Sequence, residues 1–156
     1  MMSLKNIKLY IDGWIKLFKY LSIEKDNKQI TFYSEGRQYW VCYKGIIDQL
    51  LRLNHKIYFI SSDVDDPGLY YSKDITSFSI DEHYQRLMLF RNLNTQILIT
   101  TTPDLGNFPD FPKSKNTDYY IYCLHSMMST HYAYNERAFD NFDILFCCGD
   151  YQIKEI

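Results

Sequence analysis

Three places in this chain bring together side chains that could do chemistry. In Tyr119 to His131, YYIYCLHSMMSTH, an apolar run ends in His125-Ser126, and Ser129 and His131 follow. Imidazole titrates near neutral pH, so His125 is a candidate general base that could take a proton from an alcohol. Glu35, beside Gly36 in SEGR, could orient that base or bind an acceptor hydroxyl. Ser126, Ser129 and the free amides of a following helix could hold a phosphate. The plain alternative for His125 is a strand-end histidine bonded to a backbone carbonyl. His131 and His83 read as exposed helix surface, and His55 as a helix terminus.

The third place is Asp63-Val64-Asp65. Two carboxylates at that spacing after an apolar strand can hold a divalent cation against a diphosphate. Here the pair merges into the turn Asp65-Asp66-Pro67-Gly68, so no metal is expected. A dinucleotide fingerprint, a P-loop and a nucleophile elbow are all missing from the sequence, and no cofactor is expected.

These residues need a scaffold. With 156 residues, 46% apolar and 23% charged, the chain can build one proper core. Aromatics make up 17%, mostly Tyr and Phe, which suits an amphipathic core or a surface awaiting a partner. A net charge of −2 gives no pull toward nucleic acid. Cys42, Cys123, Cys147 and Cys148 form no CxxC pair and read as reduced thiols.

Residues 1–28 read as an amphipathic helix and a linker. Leu4, Ile7, Ile11, Trp14, Phe18 and Leu21 make one apolar stripe, with Lys5, Lys8, Asp12, Lys16 and Lys19 opposite. Such a basic helix, over residues 4–21, could lie on a membrane surface or pack on protein. From residue 29 to 156 the pattern is that of a doubly wound, mostly parallel α/β sheet. Strands are expected at 29–33, 56–60, 75–80, 96–101, 119–124 and 143–148. Helices are expected at 39–53, 81–93 (with Tyr84, Leu87 and Met88 on one face and Asp81 as N-cap) and 129–139. The loop 102–118 is expected to expose Leu105, Phe108 and Phe111. In a parallel sheet the strand C-termini open on one edge. That edge would gather Ser34 to Gly36, Ser61 to Asp66, Thr100 to Asp104, His125-Ser126 and Gly149-Asp150.

The stretches FYSEGRQYW, IIDQLLRLNHKIYFISSDVDDPGL and YIYCLHSMMSTHYAYNERAFDNFDILFCCGDYQIKEI resemble the N-terminal half of bacterial CDP-glycerol glycerophosphotransferase-like proteins. These include teichoic-acid polymerases and related surface-polysaccharide transferases. The resemblance runs from about Ile30 to Ile156 and is most specific in its last block. It implies one Rossmann-like half of a GT-B fold that receives a lipid-linked acceptor, with a C-terminal donor-binding domain beyond it. It implies His125 as the base and Gly149 at the inter-domain junction. It also implies work at the cytoplasmic face of the bacterial cell membrane, and a chain inactive without the donor half. Better-known polymerases have His-Gly where this chain has His125-Ser126, which places it in a side branch and leaves the donor open. A non-catalytic α/β binding module using Leu105 to Phe111, or a sugar-nucleotide glycosyltransferase half, are the other readings.

Overall fold

A computed structural model of the chain describes residues 4–81, 83–126 and 128–156, and of residues 4–6 the backbone alone. The elements are α1 (Leu4–Leu21), β1 (Ile30–Ser34), α2 (Trp40–Arg52), β2 (Ile57–Ser61), β3 (Ile75–Ser79), α3 (Tyr84–Asn92), β4 (Ile97–Thr100), β5 (Tyr119–Cys123), α4 (Thr130–Ala133), β6 (Ile144–Phe146) and α5 (Asp150–Glu155). Short 3-10 turns at Lys25–Asn27, Arg37–Tyr39 and Pro67–Leu69 join them. Every strand pair is parallel, in the order β3-β2-β1-β4-β5-β6. This is the Rossmann strand order, and it reverses direction between β1 and β4.

The fully buried strands explain the unbroken apolar runs in the sequence. Along β1, Ile30 and Phe32 point to one face and Tyr33 to the other. The first face is covered by α2 through Tyr43 and Ile47, against Phe59, Ile99, Ile121 and Cys123. The second is covered by α1 and α3, with Leu17, Tyr20, Leu89, Phe90 and Leu93 against Tyr58, Ile60, Leu98 and Tyr120. Helices on both faces make the fold doubly wound.

The N-terminal helix covers the expected residues but buries only part of the expected stripe, with Trp14 and Leu21 packed partly buried against the core. Ile7, Ile11, Ile15 and Phe18 are exposed, the last two at 62% and 56%. The fully buried line is instead Gly13, Leu17 and Tyr20. Gly13 is the reason: a Cβ there would stand 2.4 Å from Gln85 Oε1. The missing side chain lets α3 approach, and Gln85 Nε2 donates to the Tyr10 carbonyl at 2.9 Å. At the other end the buried Tyr20 hydroxyl lies 2.8 Å from Thr31 Oγ1, and buried Lys28 donates to the Tyr20 carbonyl and to Asn94. Leu4 of the stripe has a side chain outside those described, as do residues 1–3 of the N-terminal segment. Among the described residues no helix is long and apolar enough to cross a membrane.

Three further expectations change. In α3 the buried residues are Gln85, Leu89 and Phe90, while Tyr84 is 70% exposed. Asp81, expected as the N-cap, lies ahead of a helix that starts at Tyr84 with His83 in the cap position; Asp81 takes the His83 amide on its carboxylate and gives its own amide to Gln85 Oε1. The loop 102–118 buries Leu105 and Phe111 and exposes only Phe108 of the three. Gly106, at φ +77°, folds the loop back so that its amide donates to the Phe111 carbonyl at 2.6 Å. Last, the helix expected at 129–139 is only four residues, Thr130–Ala133, followed by turns.

Candidate active site at the sheet edge

The end of β1 is held by one buried carboxylate. Asp66 Oδ2 accepts from Ser34 Oγ at 2.7 Å and Ser61 Oγ at 2.8 Å, and Oδ1 accepts from the Gly68 amide at 2.9 Å. All four residues are buried. This knot ties the turns after β1 and β2 together, so Glu35 and Gly36 leave the sheet from a fixed point. Beside it, Arg37 grips Asp63 through Nε (2.6 Å) and Nη2 (2.8 Å) and reaches Asp65 through Nη2 (2.8 Å). The guanidinium holds the Asp63 carboxyl down at about 2. The two aspartates that could have faced a cation are therefore a clamp on their own neighbour.

His125 lies just past β5 and is half-buried. Its ring stands edge-on to Tyr39, with centroids 4.9 Å apart, and Tyr122 and Tyr134 lie at 6.3 and 6.2 Å. Tyr39 arrives from the turn that opens α2, so the cage joins the ends of β1 and β5 across β4. The Tyr122 hydroxyl is 3.5 Å from Nδ1, at the outer limit for a hydrogen bond. Loss of solvent pushes the His125 pKa below its ordinary value, and the Cys123 carbonyl opposes this only in part. A ring so placed is neutral at pH 7 and able to accept a proton. Burial keeps Tyr122 and Tyr134 protonated. The Tyr134 hydroxyl is buried beside the backbone of His125 and Ser126 without a hydrogen bond of good geometry. Tyr134 also lines an open groove of about 410 Å³ with Asn135, Glu136, Arg137 and Asp140.

The other candidates are distributed around this ring. Ser126 Oγ accepts the Met128 amide at 3.1 Å, and its carbonyl accepts from Gln152 Nε2 at 2.8 Å. Ser129 caps α4 by position, with no side-chain cap bond. The amide expected to meet a phosphate is taken: Thr130 N and Oγ1 donate to Glu155 Oε2 at 2.7 and 3.0 Å. A carboxylate carried by α5 thus sits where an anion was expected, and a four-residue helix has little dipole to offer. Gly149 precedes α5 in extended backbone. Glu35, expected to orient the base or bind an acceptor hydroxyl, pairs with Arg86 of α3, its Oε1 3.5 Å from Nη1. Gly36 is buried and extended, its amide 3.3 Å from Ser34 Oγ.

The residues that sequence reasoning missed are Tyr39, Tyr122, Tyr134 and Arg86. Tyr122 was within reach, as the residue three before the histidine on the same strand. Tyr39 and Tyr134 were masked by a general excess of tyrosine, and Arg86 by its place on a helix expected to be plain. Comparison with family models, with curated proteins and with solved structures finds no match for this chain.

Proposed function

We propose that this chain is the acceptor-side part of a transferase with His125 as its general base. The transfer is of glycerol phosphate, or a related activated polyol or sugar, from a CDP-linked donor to a lipid-linked surface polymer. In the proposed step an acceptor hydroxyl attacks the donor phosphorus. Its proton passes to the His125 imidazole, the bond to the leaving phosphate breaks, and CMP departs. The observation that carries this reading is the neutral, half-buried imidazole at the C-terminal end of β5. Ligands of open parallel sheets bind at that edge. The sequence resemblance supports the choice of donor, and it assigns donor binding to a second Rossmann-like domain facing this one.

A place on the cytoplasmic face of the membrane belongs to the same proposal. The exposed Ile7, Ile11, Ile15 and Phe18 supply an apolar face, and Lys8, Lys16 and Lys19 supply positive charge against the single Asp12. Such a helix suits an anionic interface. The aromatic loop offers less to a binding-module reading, since Leu105 and Phe111 are spent in the core.

The test is a transfer assay on the polypeptide that carries both halves, with labelled CDP-glycerol, other CDP-alcohols and nucleotide sugars offered to lipid-linked acceptor. Label in the polymer fraction is expected from a CDP-alcohol. Transfer from none of these donors would contradict the reading.

A further inference from the structure

A second cavity opens at the same edge, on the α3 face of the sheet and away from the tyrosine cage. It measures about 310 Å³ and is lined by His83, Tyr84, Arg86, Leu87 and Asp110. That is the lower end of the roughly 300–1,000 Å³ range of small-molecule sites, suited to one ring rather than a nucleotide.

Its chemistry is selective. Tyr84 presents a ring that is 70% exposed at the rim, and Leu87 adds apolar surface. Arg86 lines the cavity with its side chain a quarter exposed, and its Nη1 stands 3.5 Å from Glu35 Oε1. A guanidinium carries five N–H donors, more than one carboxylate uses, so its exposed part can donate to a ligand oxygen. An anion fits poorly, because Glu35 already neutralises Arg86 and Asp110 adds a further negative charge. Neither do the described residues hold three His, Cys, Asp or Glu side chains placed for a metal.

The geometry points to a sugar- or polyol-ring subsite in this cavity. The C–H face of the ring lies on Tyr84, one hydroxyl accepts from Arg86, and a neighbouring hydroxyl donates to Asp110. Aromatic faces attract apolar C–H surface, while a guanidinium and a carboxylate together satisfy adjacent hydroxyls. Glu35 pairs with the same guanidinium. The inference rests on the acceptor-side reading only in taking the ring to be part of the acceptor; sugar binding itself needs no turnover.

Saturation-transfer NMR on the whole chain tests it, with methyl glucoside, N-acetylglucosamine and glycerol 3-phosphate as probes. The ring sugars are expected to bind. Tyr84→Ala should weaken them about tenfold, the size of one good aromatic contact, and Tyr84→Phe should not. Circular dichroism of the same variants confirms an intact fold, since Tyr84 is exposed. Binding of neither sugar, equal binding by Tyr84→Ala, or tighter binding of glycerol 3-phosphate at Arg86 would overturn the subsite. The two proposals fail separately. Unchanged turnover in His125→Ala with sugar binding intact removes the base and keeps the subsite, and the reverse pattern does the opposite.

Discussion

The imidazole of His125 stands at 75° to the ring of Tyr39, with 4.9 Å between centroids. One residue follows β5 and the other ends the turn before α2, 86 positions apart in the chain. An edge-on aromatic ring excludes water without supplying a charge, so it favours the neutral imidazole.

That contact predicts a titration. An NMR pH titration should place the His125 midpoint below its ordinary 6.5, and Tyr39→Ala should move it back up. The sign for stability follows. Folding favours the neutral ring, so its contribution is whole above pH 6.5 and is lost as pH falls through the lower folded value. A midpoint above 6.5 in the native protein would refute the aromatic account.

Asp66 should be the most costly carboxylate to remove. Its replacement by Ala leaves Ser61 and the Gly68 amide as buried donors without an acceptor, while Ser34 Oγ keeps only the Gly36 carbonyl at 3.0 Å. Urea denaturation should show a loss of about 3 kcal/mol, with Asp66→Asn losing less. A loss within about 0.5 kcal/mol would mean that water replaces the carboxylate.

The Arg37 clamp has a pH signature of its own. Arg37 holds the Asp63 carboxyl at about 2, so the stabilisation is present above the ordinary value of 3.8 and fades as pH falls toward 2. Both partners are solvent-accessible, so the stability change will be small. Carboxyl-carbon NMR is the better readout: Arg37→Ala should return Asp63 toward its ordinary titration. An unmoved midpoint would show that the ion pair does not form.

Helix α1 separates packing from surface binding. Leu17→Ala should cost about 3 kcal/mol, whereas Ile15→Ala should stay within about 0.5 kcal/mol. Ile11→Asp with Ile15→Asp should abolish sedimentation with phosphatidylglycerol vesicles and leave the thermal midpoint in place. Equal sedimentation of this double variant and the wild type would leave the exposed face without a membrane role.

The parallel sheet was legible because buried strands such as Ile57–Ser61 write themselves as short apolar runs between turn residues. The place of His125 followed from the same rule. What the sequence hid were relations set by distant packing. Gly13 decides which line of α1 is fully buried, yet only Gln85, 72 residues later, reveals it. The loop around Gly106 looks exposed until its return bond to Phe111 buries two of three apolar residues. Thr130 offers an anion site on paper, and Glu155 fills it from 25 residues away. Periodicity reports which residues are apolar; tertiary approach selects among them.

The base assignment is tested most directly by turnover against pH in the polypeptide carrying both halves. His125→Ala should lower transfer by at least ~10²-fold, and the wild-type rate should fall on the acid side with an inflection below 6.5. Unchanged transfer in His125→Ala would contradict the account.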